Sequence, residues 1–222
     1  MDPNQKKQLS PEEQAALLRK PEGEGANEIF AYMNRGNVVL YPQMLLACKD
    51  LDARAILELG PGNGVLIPGL LEQFPQAQYT GIDYSETCIE AARAANAHMP
   101  LEKINLVLGD ISTMPFEDAN FDLVLGVNVI YFWESAHKTL LEIHRVMKPG
   151  ARLLLGFRPA HKLGRMEFTR YGFTLYEVSE WEKYMAEAGF KDIQSLLFKE
   201  ADRFTAEGLL EMECVVCSGN KA

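Results

Sequence analysis

The run Ala55-Ile56-Leu57-Glu58-Leu59-Gly60-Pro61-Gly62-Asn63-Gly64 decides how the rest of this chain is read. A short, mostly apolar segment meets three glycines at alternate positions. Such a run, bounded by turn residues, suits a strand buried on both faces, as in a parallel sheet. The glycines permit sharp backbone geometry and let a ligand approach the chain closely. Beyond them Leu66, Ile67, Leu70, Leu71 and Phe74 fall at helical spacing, with Pro68 tolerable only in the first turn. The pattern predicts a strand, a tight turn, and a helix whose first N–H groups lack partners.

The same alternation continues downstream. Tyr79-Thr80-Gly81-Ile82 reads as a second strand ending at Asp83, and Ser85 can cap a helix carrying Ile89, Ala92 and Ala95. Asn105–Leu108 and Phe121–Val127 read as the third and fourth strands. A helix striped by Leu140, Ile143 and Met147 follows, ended by Lys148-Pro149-Gly150, and Arg152–Phe157 is the fifth strand. Repeated strand–helix units predict a parallel sheet with helices on both faces. Ser179-Glu180-Trp181-Glu182 has the form of a capping box, with Gly189 closing its helix. Two further strands, near Ile193–Phe198 and Leu210–Cys217, have only a short connection and predict an antiparallel hairpin at the sheet edge.

Upstream, Ser10-Pro11-Glu12-Glu13 is a capping box with proline at the first helical position. Pro21–Gly25 reads as a linker, with helical stretches near Ala26–Met33 and Pro42–Asp50 after it. We therefore expect an N-terminal helical cap over residues 1–54 and a main domain over 55–222.

Composition narrows the partners. The 222 residues carry a formal net charge of −9, which disfavours a dedicated nucleic-acid binder because phosphate contacts need a basic surface. No apolar run is long enough to span a membrane, and the first residues lack a secretory signal core. With four cysteines, a reducing cytoplasm is expected. Cys214 and Cys217 are spaced like a metal or redox pair, but strand periodicity puts them on opposite faces, and no second pair completes a zinc site. No metal centre is expected.

The strand ends concentrate the polar residues. Asp83 stands nineteen residues after Gly64 and can accept hydrogen bonds from a ribose diol. Asp110 follows the third strand and Asn128 the fourth. Ligands of parallel sheets sit beyond these carboxyl ends. A nicotinamide dinucleotide would require a third glycine where Val65 stands, and the Gly-Lys-Ser/Thr ending of a P-loop is absent.

Five motifs in order now carry a resemblance. Glu58–Gly64 resembles the E-x-G-x-G-x-G motif of the class I S-adenosylmethionine-dependent methyltransferases. Tyr79–Ser85, Gly109-Asp110-Ile111 with Met114-Pro115-Phe116, Phe121–Val124 and Lys148-Pro149-Gly150 resemble their later motifs. The likeness covers roughly Ala55–Phe157 and is strongest to the small-molecule branch that includes quinone-biosynthesis C-methyltransferases. It implies a Rossmann-like, doubly wound α/β fold with a mainly parallel seven-stranded sheet, an antiparallel C-terminal edge hairpin and N-terminal helices. It also implies S-adenosylmethionine as cofactor. The turn holding Gly60, Gly62 and Gly64 would face its methionine and ribose and Asp83 the ribose, with Glu58 and Tyr84 also among the cofactor-binding residues. Asp110 and Ile111 would face the adenine, and Asn128 the methionine.

The acceptor is less legible. Tyr131, His137 and His161 follow strand ends and are candidate bases, although a positioned acceptor needs no universal base. Residues 159–178 form a long aromatic- and cation-bearing connection, the expected acceptor cover. After the fourth strand, Asn128-Val129-Ile130-Tyr131 lacks the prolines of amino-directed nucleic-acid methyltransferases, which leaves a small-molecule acceptor as the expectation. Methylation at O, N, C or S is not separable. The competing expectations are a non-catalytic S-adenosylmethionine-binding regulator and, behind it, a nucleic-acid methyltransferase.

Overall fold

The computed structural model describes residues 9–205 and 208–222. Seven strands form one sheet: β1 (Ala55–Leu59), β2 (Gln78–Asp83), β3 (Ile104–Leu108), β4 (Phe121–Val127), β5 (Met147–Phe157), β6 (Phe190–Lys199) and β9 (Glu213–Lys221), in the order β3-β2-β1-β4-β5-β9-β6. The five strands from β3 to β5 are mutually parallel, and β9 runs antiparallel to both β5 and β6. The expected edge hairpin is present, with its later strand inside and β6 on the rim. The connection between β6 and β9 carries a feature the sequence reading missed, a small separate pair formed by β7 (Arg203–Thr205) and β8 (Gly208–Leu210).

Period-two alternation sorts the sheet's side chains into two layers. Leu57, Leu59, Val124, Leu153 and Leu155 face a layer that includes α6 (Ala136–Val146) and, beyond the short α7 (Ala160–Leu163), α8 (Val178–Glu187). Ile56, Leu123, Leu125 and Leu154 face α3 (Leu40–Ala47) and α4 (Ile67–Gln73). The alternation holds in β9, where Cys214 lies in one layer and Cys217 in the other. All four cysteines are buried and unpaired.

Local signals mostly behave as their chemistry dictates. Ser10 and Glu13 complete a reciprocal capping box at α1 (Pro11–Arg19). Ser85 caps α5 (Glu86–Ala95), and Pro68 sits in the first turn of α4. The expected box at Ser179 is corrected: α8 is preceded by Glu177 and has no side-chain cap. Glu177 instead accepts the backbone N–H of His161 at 2.8 Å. The Lys148-Pro149-Gly150 stretch lies within the irregular start of β5, not at a helix end, since α6 stops at Val146.

The N-terminal helices divide between two tasks. Leu40 and Met44 of α3 are fully buried against the sheet, so α3 belongs to the α/β layer itself. The predicted linker is likewise corrected: Pro21 is buried, and its carbonyl accepts a 2.7 Å hydrogen bond from Ser85 Oγ. That bond ties α1 and α2 (Ala26–Gly36) over the carboxyl end of β2. Among the described residues no helix is long and apolar enough to cross a membrane.

Candidate functional site

The strand order reverses between β1 and β4, the position where α/β sheets open a crevice at their carboxyl ends. A cavity of about 280 Å³ occupies that place. Gly60 and Gly62 line it with φ values of 64° and 56°, in the left-handed region that glycine enters without steric cost. Gly60 N–H donates to the Ile82 carbonyl at 2.8 Å, which pins the turn to β2.

Gly64 lies outside the lining. Its φ is 73°, and a Cβ there would stand 2.7 Å from Asn96 Nδ2 and 3.0 Å from Ala92 Cβ. Asn96 donates to the Gly64 carbonyl at 3.1 Å. The third glycine of the turn thus lets α5 pack closely against the loop.

Asp83 is buried at the end of β2, where one carboxylate oxygen accepts from Ser85 N–H at 2.9 Å and the other from Gly62 N–H at 3.3 Å. Burial raises its pKa against the pull of these bonds. Glu58, deeper on β1, accepts from Tyr79 O–H at 2.6 Å. Burial, with the Asp83 charge adding, raises Glu58 to about 7. Two carboxyl groups therefore share one wall of the cavity. Tyr84 also lines it, with its hydroxyl donating to the Arg19 carbonyl and burial raising the group to about 12. Asp110 is exposed at the far end and caps the short turn Ile111–Thr113 through Ser112 N–H at 2.7 Å. Ile111 lines the cavity beside it.

Asn128 follows β4 with φ 55°, a left-handed conformation rare outside glycine and best tolerated by Asn or Asp. Its amide donates to Asn37 Oδ1 at 2.9 Å and accepts from Arg158 at 3.3 Å. Sequence reasoning missed the centre of this network. Arg158 is 6% exposed and Glu200 7%, yet they form a two-point pair at 2.6 and 2.7 Å. Arg158 also donates to the Gly36 carbonyl at 2.6 Å, which holds the end of α2 against the strand ends.

Of the three candidate bases, only Tyr131 reaches the cavity. Its hydroxyl accepts from Arg158 N–H at 2.6 Å and donates to the Arg158 carbonyl at 3.1 Å. Burial pushes its pKa upward, which opposes a base role. His137 is exposed on α6, outside the lining. His161 is half exposed and lies between Glu177 and Glu213, at 2.8 and 2.9 Å. Its hydrogen bond to Glu177 leads the causes that raise its pKa.

The expected cover contributes Leu163, Phe168 and Phe173 to the cavity, facing Phe132 after β4. Phe173 packs on Phe132 and Phe168 with ring centroids 4.8 and 5.5 Å apart. Tyr176 turns away and packs on Trp181 at 5.0 Å.

Comparison with known proteins agrees with this geometry. The Methyltransferase domain family matches residues 57–155. The chain is 30% identical to a fatty-acid O-methyltransferase of Mycolicibacterium smegmatis over 83% of its own length and 61% of the relative's. It is 29% identical to phthiotriol/phenolphthiotriol dimycocerosates methyltransferase 1 of Mycobacterium ulcerans, over 70% of this chain and 56% of that one. The chain thus spans less than two thirds of these relatives. A Haemonchus contortus N-methyltransferase, solved with phosphomonomethylethanolamine and S-adenosylhomocysteine, superposes with a TM-score of 0.71. That likeness covers 96% of this chain and 61% of the other at 14% identity, and so speaks for the fold.

Proposed function

From the premise that this chain belongs to the class I S-adenosylmethionine-dependent methyltransferases, we propose that it transfers a methyl group to a small molecule with an apolar body. The observation that carries the proposal is the meeting of Gly60, Gly62, Asp83, Asp110 and Asn128 on one cavity with an aromatic wall opposite.

The residues fit the cofactor by their chemistry. Asp83 is held by two backbone N–H groups at the mouth of the glycine turn and keeps acceptor capacity for a ribose diol. Asp110 and the Ile111 backbone offer an acceptor and a donor beside an apolar side chain, as an adenine edge requires. In this reading Glu58, Gly60, Gly62 and Asn128 surround the methionine part, Tyr84 flanks the ribose, and Gly64 serves by shaping the turn. When bound, S-adenosylmethionine supplies a methyl group already activated by its sulfonium. The protein's contribution is then to orient the acceptor and exclude water, work that positioning can do without a dedicated base.

The cover is assigned to α1, α2 and residues 159–178, because Leu18, Met33, Leu163 and Phe173 close the cavity from those segments. A hydrocarbon-bearing acceptor is supported by that apolar lining and by likeness to enzymes named for fatty acids and dimycocerosates. A cytoplasmic setting, with small molecules and not nucleic acid as partners, is favoured by four unpaired buried cysteines and the acidic net charge.

Calorimetry tests the cofactor first: S-adenosylmethionine should bind and NAD should not. Isotopic methyl transfer to a panel of hydrophobic acids, alcohols and amines then tests the reaction. Well-folded protein that binds no S-adenosylmethionine would defeat the reading, while binding without transfer to any acceptor would favour a regulatory binder.

A further inference from the structure

We propose that the acceptor is a carboxylate on an apolar body, gripped by Arg203 and methylated on oxygen without a protein base. The inference rests on the methyltransferase reading above and names the substrate class of that same site.

Its first support is the rim. Arg203, on β7, lines the cavity and stands over the end of α2, where a Cβ on Gly36 would lie 3.4 Å from its Nη2. Among the described residues it has no ion-pair partner. Arg158 below it differs, since its charge is matched by Glu200. On a chain with a net charge of −9, an arginine without an ion pair beside an apolar lining points to an anionic ligand. A guanidinium fork matches a carboxylate in two-point geometry.

The second support is the set of groups able to take a proton. No histidine or lysine is among the described residues that line the cavity. Tyr131 is bonded to the Arg158 backbone and Tyr84 to the Arg19 carbonyl. Glu58 and Asp83 sit beneath the glycine turn, in the part assigned to the cofactor. Asp110 lies in that same part, Cys88 is buried on α5, and the Tyr41 hydroxyl is engaged by Asn37, which leaves Tyr32 and the exposed Glu134 as rivals. An alcohol, or an amine that begins as its ammonium ion, must shed a proton to be methylated, whereas a carboxylic acid is already ionised at neutral pH.

The step balances without a base. A carboxylate oxygen forms a bond to the methyl carbon, the carbon–sulfur bond breaks, and its electron pair returns to sulfur. A neutral ester and a neutral thioether result, and no proton is released. Phe132, Phe168 and Phe173 would hold the apolar body while Arg203 fixes the head.

The test uses the full chain loaded with S-adenosylhomocysteine and two matched pairs of probes, octanoate with octanol and 3-phenylpropanoate with 3-phenylpropanol. Calorimetry should show at least one acid binding about tenfold or more tightly than its alcohol. Arg203→Ala should erase that preference and Arg203→Lys restore part of it, with S-adenosylhomocysteine binding unchanged in both. Supplied with S-adenosylmethionine, the wild type should convert the bound acid to its methyl ester. Equal binding of acid and alcohol, a preference that survives Arg203→Ala, or no acid binding by protein that holds S-adenosylhomocysteine would overturn the proposal. So would a collapse of ester formation in Glu134→Gln or Tyr32→Phe, either of which would reveal a needed proton acceptor. Failure to hold S-adenosylhomocysteine would instead remove the methyltransferase reading beneath it.

Discussion

Arg158 and Glu200 meet across forty-two residues of sequence as a buried two-point ion pair, 2.6 and 2.7 Å between heavy atoms. One follows the last parallel strand and the other the rim strand, so the pair locks the edge of the sheet to the floor of the cavity. Removing one partner leaves the other charge buried and uncompensated. Glu200→Ala should therefore cost about 3–5 kcal/mol of stability. Urea denaturation checks this, and Arg158→Met with Glu200→Leu should recover much of the loss.

Asp83 should matter to ligand binding far more than to folding. Asp83→Ala removes the acceptor assigned to the ribose and should weaken S-adenosylmethionine binding by about tenfold or more. Calorimetry gives the affinity and circular dichroism the fold. Unchanged affinity would remove the ribose role.

Glu58 makes stability depend on pH. Its folded value, about 7, lies above the ordinary carboxylate value, so the folded chain holds a proton that the unfolded chain releases. The contribution is fully present below the unfolded value near 4.5 and is lost as pH rises through about 7. Stability should thus decline over that window by an amount on the order of 3 kcal/mol from this group. Denaturation of wild type and Glu58→Gln at several pH values tests the slope, which the glutamine should flatten.

The histidines should be dispensable to the reaction. His137→Ala and His161→Ala should retain methyl transfer within about threefold, because neither ring reaches the cavity. His161→Ala should cost under about 1 kcal/mol, since the ring is half exposed and its ion pairs are screened. The raised His161 value means that its small contribution is present below about 6.5 and fades as pH rises through the folded value.

Gly64 should tolerate no side chain. Gly64→Ala forces a Cβ to within 3.0 Å of the α5 surface at a positive φ, and should destabilise by about 1–3 kcal/mol. A thermal melt reads this directly.

The parallel half of the fold was legible because strands covered on both faces must be nearly continuous apolar runs, as in Ala55–Leu59 and Phe121–Val127. The glycine turn, Asp83 and Asp110 were legible because strand ends are where such sheets expose polar residues. The Arg158–Glu200 pair was not, since nothing near either residue signals a partner forty-two positions away. The only hint was a charged residue directly after the apolar run ending at Phe157. His161 misled for a related reason: its place after a strand suggested the cavity, while Glu177 and Glu213 hold it outside. The β7–β8 pair escaped notice because its strands are three residues each, too short for periodicity to register.

The strand order also sets a timetable. β6 pairs with β9 alone, and β9 is what joins it to β5. A ribosome delivers β1 through β5 first, and these can close on one another as they emerge. β6 is made next but has no neighbour to accept its backbone hydrogen bonds until residues 213–221 appear. For that interval a half-finished sheet exposes the edge of β5 to the cell, and β9 seals it.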